Sequence, residues 1–211
     1  MKLILFGATG RIGQRILLEA LARGHDVTAA LRDPSRLQMR HADLRVEHAD
    51  ATEATDVARV AAGHDAAISA VGPGATGDAG MIVATAEALI EGLAKAGTAR
   101  LIVVGGAGTL EIRPGVQRLD TPEYPDVYRP SGNAQREALA LYRASALDWT
   151  YLSPPVLIEP GERTGRYRLG GDQVVADADG RSRISMEDYA IALLHELETP
   201  RHIRARFTVA Y

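Results

Sequence analysis

The sequence contains no cysteine. That absence excludes disulfides, thiolate catalysis, cysteine-ligated zinc and iron–sulfur clusters. No apolar run approaches the length of a membrane span. The first one breaks at Gly7, which is also too soon for a secretory leader. Positive charge is not in excess: Lys and Arg number 24 against 27 Asp and Glu, a net charge of −3. With no polybasic run either, neither nucleic acid nor a membrane surface is an expected partner. An H-E-x-x-H zinc pattern, a G-x-S-x-G nucleophile elbow and a Walker lysine motif are all missing. The histidines (His25, His41, His48, His64, His195 and His202) show no metal spacing and read as surface or helix-end residues, so no metal is expected. Lysine occurs only at Lys2 and Lys95.

What remains is a chain of 211 residues, 46% hydrophobic and 24% charged, enough for one cored domain. A soluble, cytoplasmic monomer or homodimer is expected. Residues 2–6 (KLILF) form a short apolar run ending in glycine, the pattern of a buried strand. Residues 11–23 place Ile12, Ile16, Leu17 and Ala20 at helical spacing, with Gly24 as a stop. Strands are predicted at 27–31, 44–48, 66–71, 100–104 and 149–152, with the fourth running into a Gly72-Pro73-Gly74 turn. Helices are predicted at 56–62, 81–96 and 133–145. Such alternation calls for parallel strands with right-handed crossovers. The expected fold is therefore α/β, a Rossmann-type doubly wound sheet in the order 3-2-1-4-5-6. Residues 107–130, with four prolines, read as a long loop covering a binding site. The stretch 156–211 reads as a small C-terminal annex of the same domain. It is expected to hold a hairpin around Tyr167 and Val174-Val175, a capping box opening at Ser185, and a final strand at 207–210. Glu187 and Asp188 are adjacent, which suits capping more than paired acid–base work.

The chemistry sits at Gly7-Ala8-Thr9-Gly10-Arg11-Ile12-Gly13, between the first strand and the first helix. The spacing G-x-x-G-x-x-G is one residue looser than the dinucleotide fingerprint, and the physics is shared. Gly7 allows a sharp exit from the strand, Gly10 allows backbone N–H groups to approach a pyrophosphate, and Gly13 allows close helix–sheet packing. The helix N-terminus adds unpaired N–H groups and a positive dipole end. The alternative, a glycine-rich turn that binds nothing, is disfavoured by the strand–helix context. An NAD site carries a carboxylate about 20 residues further on. Here Leu31 stands nearest that place and Arg32 follows. A guanidinium beside the ribose suits a 2′-phosphate, so NADP(H) is preferred over NAD(H). Arg11 and Arg36 are possible helpers. Asp33 is a rival ribose ligand, and Arg32 read blandly is a solvated surface arginine. Further cofactor candidates are Asp50 and Ala51 after the third strand, Ala70, Val71 and Gly72 after the fourth, Gly105 and Gly106 after the fifth, and Pro154 after the sixth. Asp50 also reads as a helix-start residue and Pro154 as a simple chain stop.

These residues carry a resemblance. GATGRIG at 7–13, ALRD at 30–33, LIVVGGAG at 101–108 and WTYLSPP at 149–155 resemble the atypical short-chain dehydrogenase/reductases. The closest likeness is to the small NAD(P)H-binding flavin-reductase-like proteins related to biliverdin reductase B and to the NmrA-like group. GERTGRYRLGGD at 161–172 and SMEDYA at 185–190 fit the same group, so the likeness spans nearly the whole chain. It implies a hydride-transfer enzyme with a flavin or quinone-like aromatic acceptor. It also leaves open a non-catalytic cofactor sensor, and a sugar-nucleotide or steroid epimerase-dehydratase. One departure matters. The parent superfamily uses a Tyr-x-x-x-Lys pair to protonate a carbonyl oxygen. At the corresponding places this chain has Arg129 and Asn133. No lysine stands four residues after Tyr128 either, so an ordinary alcohol–ketone dehydrogenase is not expected. Hydride transfer to a flavin or quinone does without that acid and becomes mainly a matter of positioning. No proton donor is assigned. Tyr124 and Tyr128 are candidate walls for a flat substrate, with ordinary loop packing the alternative for each.

Overall fold

The computed structural model describes residues 1–73 and 77–211; of the expected Gly72-Pro73-Gly74 turn, Gly74 lies outside the described residues. The strands predicted from short apolar runs form at β1 (Lys2–Phe6), β2 (Asp26–Leu31), β3 (Leu44–His48), β4 (Ala66–Ser69) and β5 (Arg100–Val104). Between them lie α1 (Arg11–Ala22), α2 (Ala54–Ala61) and α3 (Gly80–Ala96). The expected loop at 107–130 carries short 3-10 turns and a small antiparallel pair, β6 (Glu111–Arg113) with β7 (Val116–Gln117). Helix α4 (Arg129–Ala144) begins four residues before the predicted 133, because Pro130 falls in its first turn, where a missing N–H costs nothing. There follow β8 (Asp148–Ser153), β9 (Leu157–Glu159), β10 (Arg168–Gly170), β11 (Arg183–Ser185), α5 (Met186–Glu198) and β12 (Ala205–Ala210).

The main sheet has eight strands in the order β3-β2-β1-β4-β5-β8-β12-β10. Its first six places follow the expected doubly wound order, with β8 as the sixth strand. Two more extend it: β12 pairs parallel to β8, and β10 closes the edge antiparallel to β12. The predicted hairpin around Tyr167 and Val174-Val175 does not form. Each arm has a partner elsewhere, β10 on β12 and residues 172–174 on Glu111.

Alternation along β1 sends Leu3 and Leu5 to one face and Ile4 and Phe6 to the other. The first face is covered by α1 and α5, the second by α2, α3 and α4. Both faces being buried explains why the central strands are apolar without alternation. No helix among the described residues is long and apolar enough to cross a membrane.

The segment after β9 is tied down by polar contacts. Ser185 caps α5, its hydroxyl accepting the Asp188 N–H at 3.0 Å. The reciprocal half of the expected capping box is not made, because the Asp188 carboxylate is engaged elsewhere. One of its oxygens accepts the N–H groups of Thr164 and Gly165, both at 2.8 Å, and the other accepts the Thr164 hydroxyl at 2.5 Å and the Tyr211 hydroxyl at 2.8 Å. Glu187 instead pairs with Arg15 at 3.1 Å. His25, expected as a surface or helix-end residue, follows the end of α1; it is buried there and bonds Glu198 at 2.9 Å.

Asp188 is fully buried, so removing its charge leaves donors without matched acceptors. Asp188→Asn is expected to lower the unfolding free energy by about 3 kcal/mol. Equilibrium urea unfolding measures this directly, and a change under 1 kcal/mol would contradict the role given to the carboxylate.

Candidate active site

The glycine loop sets the geometry. Gly7 leaves β1 with a φ of +84°, in the left-handed region where a side chain is strained. A Cβ there would lie 2.6 Å from the carbonyl oxygen of Ala70, the first residue after β4. The β1–α1 loop thus rests directly on backbone at the carboxyl end of the neighbouring strand. Beneath it, Gly13 packs so closely that a Cβ would overlap the Gly7 carbonyl. Gly10 caps α1 without any side-chain hydrogen bond. The first-turn N–H groups of the helix therefore remain available at its positive end.

Above this loop lies a cleft of about 970 Å³, the size of a site for a large organic ligand. It runs along the carboxyl ends of the parallel strands at the point where the strand order reverses, between β1 and β4. Of the residues expected from sequence, it brings together Gly7, Thr9, Gly10, Arg11, Ile12, Arg32, Asp50, Ala51, Ala70, Val71, Gly72, Gly105 and Tyr128. Ala8 and Gly13 are buried under the loop and serve its packing. Gly106 and Pro154 do not line the cleft: Gly106 lies against the stem of Gln135, and Pro154 is buried beyond β8.

Tyr124 is also absent from the cleft. Its hydroxyl end sits over Gly108 and Gly132, where an added Cβ would come within 2.7 and 2.9 Å. Arg118 and Arg129 lie over its ring at 5.1 and 5.9 Å. Burial pushes the pKa of this phenol up and keeps it protonated. Tyr124 is a packing residue of the loop. Arg129, at the place of the superfamily tyrosine, is a loop tie: its guanidinium donates to the carbonyls of Leu119, Thr121 and Tyr124. Asn133, at the place of the lysine, is exposed and outside the cleft. Tyr128 is the one residue of the 107–130 loop that reaches the cleft, so most of that stretch does not cover the site.

The two ends of the cleft differ in chemistry. One carries Arg11, Arg32, Asp33, Arg36, Asp50 and Thr52. Asp33 is committed to its own turn, accepting the Ser35 N–H at 3.1 Å and hydroxyl at 2.6 Å. Those Ser35 bonds hold the carboxyl below its usual range. Asp50 likewise accepts from the Thr52 N–H and hydroxyl, at 2.9 and 2.8 Å. Neither the Arg11 nor the Arg32 guanidinium has a protein partner among the described residues. The other end is walled by Val104, Gly105, Tyr128, Gln135, Ile158 and Met186, and Tyr128 is its only titratable side chain. Sequence reasoning did not find Thr85, Gln135, Ile158 or Met186. They come from α3, α4, β9 and the start of α5, and no local motif marks them.

Thr85 is 3% exposed, and its hydroxyl, on the cleft wall, has no hydrogen-bond partner among the described residues. A buried hydroxyl left unmatched in this way costs stability unless a ligand completes it. Together with a glycine cradle that side chains would fill, it fits a bound dinucleotide. The model of the family described as NAD(P)H-binding matches residues 7–200.

The chain belongs to that NAD(P)H-binding family.

Solved structures similar to the chain match it along its whole length. A Burkholderia pseudomallei protein, named only as a candidate exported protein, is 47% identical, with 100% of both chains covered and a TM-score of 0.92. A Bacteroides thetaiotaomicron protein named as a candidate epimerase is 40% identical, covering 100% of this chain and 96% of that one, with a TM-score of 0.92. A Streptococcus pneumoniae protein named as a candidate NADH-flavin reductase is 36% identical, covering 100% and 99%, with a TM-score of 0.87. The Rossmann-type fold and the nicotinamide dinucleotide as ligand class thus hold for this NAD(P)H-binding chain.

Replacing Thr85 by valine should have effects of opposite sign on the free and the loaded protein. The free protein is expected to keep or gain thermal stability, because an unmatched buried hydroxyl is lost. Affinity for NADPH, measured by calorimetry, is expected to fall about five- to tenfold, the worth of one net hydrogen bond. Unchanged affinity would remove Thr85 from the site.

Proposed function

We propose that the protein is an NADPH-dependent reductase that passes a hydride to a flavin- or quinone-like acceptor. The observation that carries this reading is the polarity of the cleft. Among the described residues, the Arg11 and Arg32 guanidinium groups at one end have no protein partner, and the largely apolar wall at the other holds no acid–base pair. When bound, a reduced nicotinamide supplies the hydride.

The chain's own residues hold the ligands and keep water out. First-turn N–H groups of α1 after Gly10 meet the pyrophosphate, a charge-assisted contact at a helix N-terminus. Arg32, with Arg11 and Arg36 beside it, meets the 2′-phosphate. Asp33 is a weaker candidate for the ribose, since its turn already uses one carboxylate oxygen. Asp50, Ala51 and Thr85 frame the adenine half. Val104, Gly105, Ile158 and Met186 form a dry wall against which a nicotinamide and a flat acceptor stack, with Tyr128 at the mouth. A conjugated ring takes up a hydride without a protein acid, and its proton comes from water. Catalysis is then mainly alignment of reacting atoms at about 3–3.5 Å.

The name of the pneumococcal relative specifies NADH; the unpaired Arg32 is the reason to expect NADPH here. The epimerase name of the Bacteroides relative is not carried over, because the cleft lacks the tyrosine–lysine pair that chemistry needs. The same lack would also serve a cofactor sensor, which binds and does not turn over.

Arg32→Ala is expected to weaken NADPH about 10- to 100-fold, the range for a charged hydrogen bond to phosphate, while NADH is affected less than threefold. Oxidation of each cofactor with FMN, riboflavin or a quinone, followed at the nicotinamide band, provides the measurement. Equal losses for both cofactors would remove Arg32 from the 2′ position. Tight NADPH binding with no oxidation above the protein-free rate would replace the reductase reading by the sensor.

A further inference from the structure

At the acceptor end, the polar groups are committed in an uneven way. Gln135, in the second turn of α4, lines the cleft beside Gly105 and Tyr128. Its carboxamide oxygen accepts the hydroxyl proton of Tyr151, a β8 residue with no solvent exposure. The other acceptor near that hydroxyl is the backbone carbonyl of Gln135 itself, at 3.4 Å, which belongs to the helix ladder. Burial pushes the Tyr151 phenol far above its ordinary range, so it remains a donor at every working pH. A carboxamide presents an acceptor on one side and two donors on the other. With its oxygen held by a permanent donor, the NH₂ group must face away from Tyr151. Among the described residues that nitrogen has no protein partner.

Two more features place this donor. A Cβ on Gly105 would overlap the Tyr151 ring, so the glycine that opens the cleft also makes room for the tyrosine that orients Gln135. Tyr128 immediately precedes α4, seven residues before Gln135, and both side chains line the cleft. It is 59% exposed at the mouth. A flat ring stacked on Tyr128 would bring its edge towards the amide. Among the described residues that line this end, none is cationic to match an anion. A neutral ring carbonyl is the group that an amide donor in an apolar wall matches.

We propose that Gln135 determines acceptor specificity by donating a hydrogen bond from its locked amide to a ring carbonyl of the flavin- or quinone-like acceptor. This rests on the reductase reading above. The acceptor ring receives the hydride, with its electron pair, from C4 of the reduced nicotinamide, whose C–H bond breaks as the new bond to the ring forms. The nicotinamide is left oxidised and the added charge spreads onto the ring carbonyl, where a water-derived proton then neutralises it. A donor already aimed at that oxygen stabilises the charge as it develops. Gln135 thus touches the acceptor, and Tyr151 is a positioning residue behind it.

The test uses riboflavin as the probe, with its fluorescence quenching measured against the NADP⁺-loaded protein. Gln135→Glu keeps an oxygen for Tyr151 and turns a second oxygen to the cleft. The double change Gln135→Leu with Tyr151→Phe removes both partners together, leaving no orphaned group in the core. In each, the riboflavin dissociation constant is expected to rise about tenfold, while NADP⁺ affinity by calorimetry stays within twofold. Tyr151→Phe alone frees the amide to flip and should give about a threefold rise. Wild-type riboflavin affinity in both Gln135 variants would overturn the proposal. A parallel loss of NADP⁺ affinity would overturn it too, by assigning Gln135 to the nicotinamide. Failure of the wild-type protein to bind riboflavin would overturn this proposal, while the reductase reading stands or falls separately on NADPH oxidation by FMN or a quinone. If riboflavin binds and Gln135→Glu weakens it, yet NADPH is never oxidised, only the reductase reading falls and the contact stands.

Discussion

Gly7 and Ala70 bring two backbones into direct contact at the carboxyl end of the sheet. The loop leaving β1 lies on the chain leaving β4, with an added Cβ at Gly7 only 2.6 Å from the Ala70 oxygen. Nothing larger than glycine fits there, and the positive φ favours glycine as well. That contact fixes where α1 begins and hence where its unpaired N–H groups point. It also fixes the floor of the cleft, because Ala70, Val71 and Gly72 continue from it. Moving either backbone would shift the start of α1 and the floor of the cleft together.

Much of the fold was legible in the sequence because the central strands announce themselves. KLILF and RLIVV are short apolar runs ending in glycine, and both became inner strands of a sheet covered on two faces. The sheet's far side was legible only in part. The final strand expected at 207–210 forms as β12, but its pairing and that of residues 168–170 are decided by neighbours distant in the chain. Gly170-Gly171-Asp172 has the composition of a hairpin turn, yet the residues on its two sides pair with β12 and Glu111. The β12 residue Arg206 carries no mark in the sequence; it is buried, its guanidinium bonded to Asp172 at 2.7 Å and to the Thr109 carbonyl at 2.6 Å.

The candidate site divides in the same way. The phosphate end was readable because it is a backbone device, and glycine spacing encodes backbone directly. The opposite end is assembled from side chains on four separate elements, so Gln135, Ile158 and Met186 carry no local mark. Tyr124 and Tyr128 look equivalent in sequence, as aromatic residues of one loop. What separates them is the pair Gly108 and Gly132, which opens a buried slot for Tyr124 and leaves Tyr128 outside.

The stretch between β5 and α4 is bolted at both ends. Arg129 holds the carbonyls of Leu119, Thr121 and Tyr124, Arg206 holds Thr109, and Glu111 shares backbone bonds with Asp172 and Val174. A segment anchored so thoroughly is a poor swinging door, because opening it would break many bonds at once. Traffic through the far end of the cleft is thus governed by a few side chains standing on rigid supports. Relatives that share this scaffold can diverge in what that end admits by single exchanges at those positions, leaving the glycine loop untouched. Evolution, and the engineer, would find new preferences there by point substitution sooner than by grafting loops.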